Sequence, residues 1–461
     1  MGLLAAALAA GMLGTAGFAA LWRSSPSRGG GNMFGNLALE RFMSQRLTMI
    51  LVLGALIALG PLTIDMYLPS LPALTVDLAT TSSAVQLTLT GTLVGLALGQ
   101  LVIGPLSDSV GRRRPLLAGA ALHVVASLAI TVAPNVAVLG VLRVLQGMGA
   151  AAGAVIALAI VRDLYQGRAA ATMFSRLMLV MGVAPVLAPT IGGELLSVTS
   201  WRGVFVALAV YGVLVLVAAA LALRESLPPA ERRPAGIAST LRTYAGLLHD
   251  RTFVGLVLVA GLIMAGLFGY VAGSSFVFQQ QFGFNQQQFG LAFGAGAVFL
   301  IAATQLNAYL LRRFEPSTLL LAALIGGSLA GLVLVGTTAT GVGGILGVLV
   351  PMFAVLFTIG LAMPNAPALA LARHGHAAGT AAALVGAVQF GVGALVSPVV
   401  GILGDDAAAM GLVVAGGLVL ALAVLVVVVR PVRLARAGAA AARPVLPDPV
   451  FDEPAVGATE A

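Results

Sequence analysis

The chain has 461 residues, of which 59% are hydrophobic and only 9% charged, and its mean hydropathy of +1.05 lies far outside the range of soluble globular domains. All 24 basic residues are arginine and the net charge is +8, but the arginines fall singly or in short clusters between apolar runs, which excludes a nucleic-acid-binding face. With no cysteine, no GxxxxGK[ST] phosphate loop and no nucleophile with its base, the sequence also excludes disulfides, thiol chemistry, ATP-driven pumping and an enzyme reading.

From the N-terminus, residues 2–22 are apolar but lack a preceding positive segment, and a Gly/Ser-rich tract from Ser24 to Gly31 follows. Residues 1–46 are therefore read either as an extra, weakly hydrophobic helix or as sequence upstream of the true start, at Met33 or Met43. About 20 apolar residues cross a bilayer core of roughly 30 Å. After Arg46, twelve such runs follow at approximately 47–68, 84–106, 114–133, 136–161, 170–196, 201–223, 251–279, 286–311, 317–337, 341–370, 377–401 and 405–430. The fold class expected is an all-α polytopic membrane protein.

The loops between these runs alternate in charge. Arg41 and Arg46, Arg112 to Arg114, Arg162, Arg168 and Arg176, Arg224 to Arg251, Arg312 and Arg313, Arg373, and Arg430 to Arg443 fall on one side. The opposite loops carry Asp77, Asp405 and Asp406, with Arg202 as the basic exception. By the positive-inside rule both termini are cytoplasmic. Residues 224–250, with Pro228, Pro229 and Pro234, form a cytoplasmic linker between a six-helix half at 47–223 and a second at 251–430; residues 431–461 read as a disordered cytoplasmic tail. The basic loop after the second span recurs after the eighth as LLRRFEP, and a six-plus-six parallel repeat suits a transporter whose substrate site lies between the halves near the midplane.

Polar groups inside the spans are few, so each carries weight. The first span ends in TIDMYLPSLP, Thr63 to Pro72, where Asp65 is the single acid, with Tyr67 beside it. Gln86 and Thr90 stand at cavity-facing positions of the second span. The loop Gly104 to Arg114 reads GPLSDSVGRRR: Gly104 permits close helix approach, Asp108 can accept from Arg112, and Gly111 supplies a tight turn before Arg112 and Arg113. His123 lies mid-span and reads as a hydrogen-bonded core histidine. Arg143 lies about seven residues inside the fourth span, followed by Gln146, Gly147, Gly149 and Gly153; a buried arginine costs several kcal/mol without a partner or water. In the fifth span, APVLAPTIGG kinks one face at Pro185 and Pro189 and offers Gly192 and Gly193 for tight contact, with Glu194 next. Phe268 and Tyr270 of the seventh span, with Tyr67, Gln86, Thr90 and Gln146, supply aromatic and amide groups suited to amphiphilic cargo.

These stretches resemble the major facilitator superfamily. Gly104 to Arg114 resembles its signature loop, Arg143 to Gly153 its second motif, and Ala184 to Gly193 the motif of drug:proton antiporters, except that Ala184 and Ala188 replace glycine. Thr63 to Pro72 closely resembles the DMYLPxLP stretch of the bicyclomycin-resistance (Bcr/CflA-type) branch. The resemblance implies twelve helices in two bundles, multidrug efflux coupled to protons in a bacterial inner membrane, and no cofactor. It also implies that Asp108 closes the cytoplasmic face against the start of the eleventh helix, near Gly379 and Thr380. Asp65, Arg143 and Glu194 are the coupling candidates, with an Asp65–Arg143 pair expected and the choice of proton carrier between Asp65 and Glu194 left open. One charge moving inward through 100 to 150 mV supplies about 2.3 to 3.5 kcal/mol. The expected partners are a small amphiphilic compound, protons and membrane lipid, and the chain is expected to be monomeric. A metabolite exporter or uniporter on the same fold is the alternative; a sensor would need an output domain larger than the linker.

Overall fold

The computed structural model of the chain describes residues 33–232, 237–374 and 377–430. The readings of residues 1–32 and of the tail at 431–461 concern residues outside these. Among the described residues, twelve helical segments are long and apolar enough to cross a membrane. They are numbered here as spans: 1, Leu47–Asp77; 2, Ser82–Val110; 3, Arg113–Ile130; 4, Val136–Leu164; 5, Gly167–Leu196; 6, Trp201–Ala222; 7, Arg251–Gln281; 8, Gln286–Leu310; 9, Pro316–Thr340; 10, Gly344–Ala372; 11, Ala378–Leu403; 12, Ala407–Val429. Helices are the required solution, because hydrocarbon offers backbone N–H and C=O groups no partner outside the segment.

Span ends are fixed by polar caps where the chain meets water. The Asn135 side chain accepts from Val138 N at 3.0 Å, Asp250 from Thr252 N at 2.8 Å, and Asp406 from Ala409 N at 2.8 Å, while Asn285 and Gln288 form a capping box. Three elements differ from the sequence reading. The first helix begins at Met33 and ends at Asp65, after which the 3-10 turn Leu68–Ser70 and the short helix Leu71–Asp77 complete span 1. Pro69 and Pro72 cause the break, since neither has an N–H to continue the ladder. Span 10 divides in the same way at Met363 and Pro364. The linker contains a helix, Ile237–His249, that lies against spans 7 and 11.

Packing repeats between the halves. Span 1 contacts spans 4, 5 and 6, span 4 contacts spans 2 and 3, and span 3 contacts span 6; adding six to each number gives the pairs found in the second half. The halves meet through spans 2 with 11 and 5 with 8, which the same operation exchanges.

Hydrogen bonds between the halves cluster at the end away from the arginine-rich loops. Ser275 Oγ donates to Leu68 O at 2.7 Å, Gln279 Nε2 to Pro69 O at 3.1 Å, Thr190 Oγ1 to Gly290 O at 3.3 Å and Thr90 Oγ1 to Ala394 O at 3.0 Å. Gln86 joins the set from span 2, donating to Asp405 Oδ1 at 2.7 Å and accepting from Gly401 N at 2.9 Å. At the arginine-rich end no hydrogen bond joins the two six-span halves among the described residues, and no atom of another segment lies within 4 Å of where a side chain at Gly104 or Gly379 would begin. The molecule is sealed on one side and open on the other.

Two outcomes test this geometry. Because the chain has no cysteine, single substitutions report without background: Gly379→Cys reacts with a water-soluble maleimide from the arginine-rich side at least about tenfold faster than Thr190→Cys does from the opposite side, if this conformer dominates. The second concerns Asp405. Burial raises its carboxyl above the usual carboxylate range, and neighbouring Asp406 adds to that, while bonds from Ser82 and Gln86 only partly offset it. The sealed conformer therefore binds this proton more tightly than one with Asp405 in water. Its contribution to the seal is full below the ordinary carboxylate pKa and is lost as pH rises through the raised value. Acidifying the sealed side should slow labelling of Thr190→Cys, and Asp405→Asn should remove that pH dependence.

Candidate functional site

Span 1 ends inside the bundle, and its last helical turn assembles the polar centre of the first half. Arg143 is fully buried, and its Nη1 donates to Thr63 O at 2.9 Å and to Gln146 Oε1 at 2.8 Å. Its guanidinium lies over the Tyr67 ring, 4.2 Å from the centroid, and 5.6 Å from that of Phe205. Two aromatic faces and a carbonyl thus hold the cation, which is the arrangement a desolvated guanidinium favours when no carboxylate is at hand. Gln146 Nε2 in turn donates to Ser127 Oγ at 2.8 Å, and Tyr67 shares a 2.7 Å hydrogen bond with Thr88. Thr63 spends its one hydroxyl proton on Leu59 O at 2.6 Å, so His123 Nε2, 2.9 Å away, is the donor to it. His123 is the bonded core histidine expected. Three buried nitrogens of this cluster, Arg143 Nε and Nη2 and His123 Nδ1, find no protein partner.

Asp65 lies one helical step from this cluster and outside it. Its residue is 6% exposed, and among the described residues it makes no hydrogen bond or ion pair. The expected Asp65–Arg143 pair is absent in this conformer, because the Thr63 carbonyl and the Tyr67 ring have taken the arginine. Asp65 instead lies within electrostatic reach of Tyr270 on span 7. Tyr270 is 2% exposed, is stacked on Phe293 at 5.0 Å, and has a hydroxyl without a partner. A buried carboxyl group from one half and a buried phenol from the other thus lie within electrostatic range of each other, neither with a hydrogen-bond partner among the described residues.

The remaining predicted residues divide between the seal and the open side. Gln86 and Thr90 are seal residues here. Phe268 packs on Gly393 and, at 6.3 Å, on Phe390 of span 11. Pro185 and Pro189 lie within an unbroken span 5, and a methyl group at Gly192 would collide with the Met66 carbonyl, one at Gly193 with the Gln286 backbone. These two glycines therefore clamp span 5 to the residue after Asp65 and to the other half. Glu194 is half-buried at the outer end of span 5 and joins neither Arg143 nor Asp65 in any contact.

On the open side, Asp108 is bound by Arg112 and touches neither Gly379 nor Thr380. Gly111 adopts φ +97°, which lets the chain turn there. Arg112, 8% exposed, also donates through Nε to Asp163 at 2.9 Å, and Arg113 Nη2 donates to Ala220 O at 2.8 Å. Glu225 receives the backbone N–H of Arg112 at 2.7 Å and of Arg113 at 3.2 Å. Burial raises the Glu225 carboxyl, but these backbone donors outweigh it and hold it below its usual value. Sequence reasoning missed Asp163 and Glu225. The available signal was an acid at the end of span 4 and another just after span 6, each set among arginines.

The match of the chain to known proteins agrees with this construction. Residues 51–398 match the family model described as Major Facilitator Superfamily. An uncharacterized MFS-type transporter of Bacillus subtilis, YdgK, is 41% identical over 80% of this chain and 92% of its own. A bicyclomycin resistance protein homolog of Haemophilus influenzae is 33% identical over 78% and 90% respectively. The xylose transporter XylE from E. coli in a partially occluded inward open conformation, at 14% identity, shares the fold with a TM-score of 0.65 over 83% of this chain and 97% of that one. A multi-pass architecture of twelve apolar helices, two halves that repeat each other's packing, and a family match across both halves make this chain a member of the major facilitator superfamily, a bacterial inner-membrane transporter and not an enzyme.

Proposed function

We propose that this protein exports small amphiphilic compounds in exchange for protons, with Asp65 as the group that carries the proton. The observation that carries the reading is the position of Asp65: shielded from water, without a cation, and within electrostatic reach of Tyr270 in the other half. A carboxyl group so placed has its charge answered only by a proton or by a substrate. Kinship with proteins named for resistance to bicyclomycin supports a drug-like cargo. The arginine-rich side is taken as cytoplasmic, so the conformer described is the one that receives cargo from the cell.

The cycle then follows from which contacts can exchange. Cargo enters from the cytoplasmic side and competes with the proton at Asp65. Opening outward breaks the seal hydrogen bonds, each worth about 0.5–1.5 kcal/mol net. Closing inward frees Asp108 from Arg112 to meet the start of span 11. Arg143 fixes the end of span 1 through the Thr63 carbonyl, so loading at Asp65 is felt by the seal residues three to four positions further on. Its two unpartnered nitrogens are available to Asp65 in the opposite conformer. An external proton that reaches Asp65 returns the carrier.

The test is proton flux in inverted vesicles on addition of bicyclomycin or a phenicol. Drug addition releases protons from an acidified lumen in the parent, and Asp65→Asn lowers the flux at least about tenfold while the purified protein stays folded. Flux that persists in Asp65→Asn but is lost in Glu194→Gln would move the proton to Glu194. Arg143→Lys keeps the charge but not the flat guanidinium that lies over the Tyr67 ring, and is expected to lower drug-driven flux by a similar factor with little loss of folded yield.

A further inference from the structure

Span 2 contains a break in its hydrogen-bond ladder. Pro105 stands inside the helix Ser82–Val110, and because proline has no N–H, the carbonyl four residues earlier, that of Leu101, loses its helical donor. A backbone carbonyl freed in this way takes a donor from elsewhere. Here the donor comes from outside the twelve spans. The Tyr244 hydroxyl, on the linker helix Ile237–His249, donates to Leu101 O in a long hydrogen bond of 3.5 Å.

The second half carries that helix. It lies against spans 7 and 11, Leu247 is 3% exposed and joins the apolar core, and Asp250, which caps span 7, follows its last residue directly. Tyr244 is half-buried and shares a helix face with Leu247, three residues on. The start of the linker belongs to the first half instead. Glu225 accepts the backbone N–H groups of Arg112 and Arg113, and Ser226 Oγ donates to Asp163 Oδ2 at 2.9 Å. At an end where no hydrogen bond joins the two six-span halves among the described residues, Tyr244 thus connects a helix seated on the second half to span 2 of the first.

The bond lies where spans 2 and 11 diverge. Gln100 still packs on span 11, its side chain 3.1 Å from where a side chain at Gly386 would begin. Further toward the arginine-rich end, Gly104 of span 2 and Gly379 of span 11 have no atom of another segment within 4 Å of the corresponding position. Closing this end must bring the start of span 11 to the end of span 2, past the point that the Tyr244 hydroxyl now occupies. We propose that Tyr244 and the carbonyl of Leu101 freed by Pro105 form a latch that holds the arginine-rich end open and releases before it closes. Because that carbonyl is already spare, the bond is made and broken without disturbing the ladder of span 2. Tyr244 is a positioning residue, acting through the separation of spans 2 and 11. The latch does not depend on which compound is exported or on what drives export.

Maleimide labelling of Thr190→Cys from the sealed side, without drug, reads how often the seal opens. Tyr244→Phe removes the hydroxyl and keeps the ring, and should raise that rate about two- to tenfold, the range that one hydrogen bond is worth. Pro105→Ala returns an N–H to the ladder and takes the acceptor away, so in that background Tyr244→Phe should have less than half its effect on the logarithm of the rate. A Tyr244→Phe rate equal to or below that of the parent would overturn the latch. Half or more of the effect persisting with Pro105→Ala would place the action of the hydroxyl elsewhere and overturn it as well. Where Pro105→Ala does not fold, Tyr244→Phe decides the question alone.

Discussion

The burial of one positive charge organises the first half of this transporter. Arg143 sits where a cation is costly, and the fold meets that cost without a carboxylate: a carbonyl from span 1, an amide from its own span, and the faces of Tyr67 and Phe205. Each of these groups constrains something else. The Thr63 carbonyl is available because the helix is about to end, and Tyr67 can lie flat over the guanidinium because Pro69 and Pro72 have turned the chain. His123, Ser127 and Gln146 then brace the arrangement from spans 3 and 4. Asp65 is consequently placed with no latitude and no partner, facing the second half.

The two ends of the molecule use opposite kinds of contact. Between the halves, the sealed end relies on close backbone approach and on hydrogen bonds of which only the one from Gln86 to Asp405 involves an acid, with Gly192 and Gly193 allowing span 5 to touch both span 1 and span 8. Such contacts are individually weak and collectively exchangeable, which suits an interface that must open. The open end keeps its charges within each half: Arg112 with Asp108 and Asp163, and Asp250 with Arg373 and His374. These networks hold each bundle rigid as it moves.

The conformer explains several differences from expectation. Gly104 reads in sequence as a close-packing residue and Asp108 as a contact to span 11, yet here the first faces open space and the second folds back on Arg112. Both expectations concern the alternate state, in which the arginine-rich end is closed. Gln86 and Thr90 read as cavity-lining residues and are found bridging the halves. A polar side chain on an interface helix serves either purpose, and only the position of the partner helix selects between them.

What the sequence determined by itself was set by the solvent. Apolar run length dictates the number of spans, arginine distribution dictates the alternation of loops, and an isolated charge inside a span is legible because hydrocarbon makes it expensive. Asp65, Arg143 and the Gly104 to Arg114 loop could be read on those grounds. Only the tertiary structure decided that Arg143 binds the Thr63 carbonyl and not Asp65, that Asp163 and Glu225 complete the basic loop, and that Tyr270 comes within electrostatic reach of Asp65. Those pairings join residues 80, 51, 113 and 205 positions apart. No local periodicity encodes such distances, and the packing of one span against another fixes them.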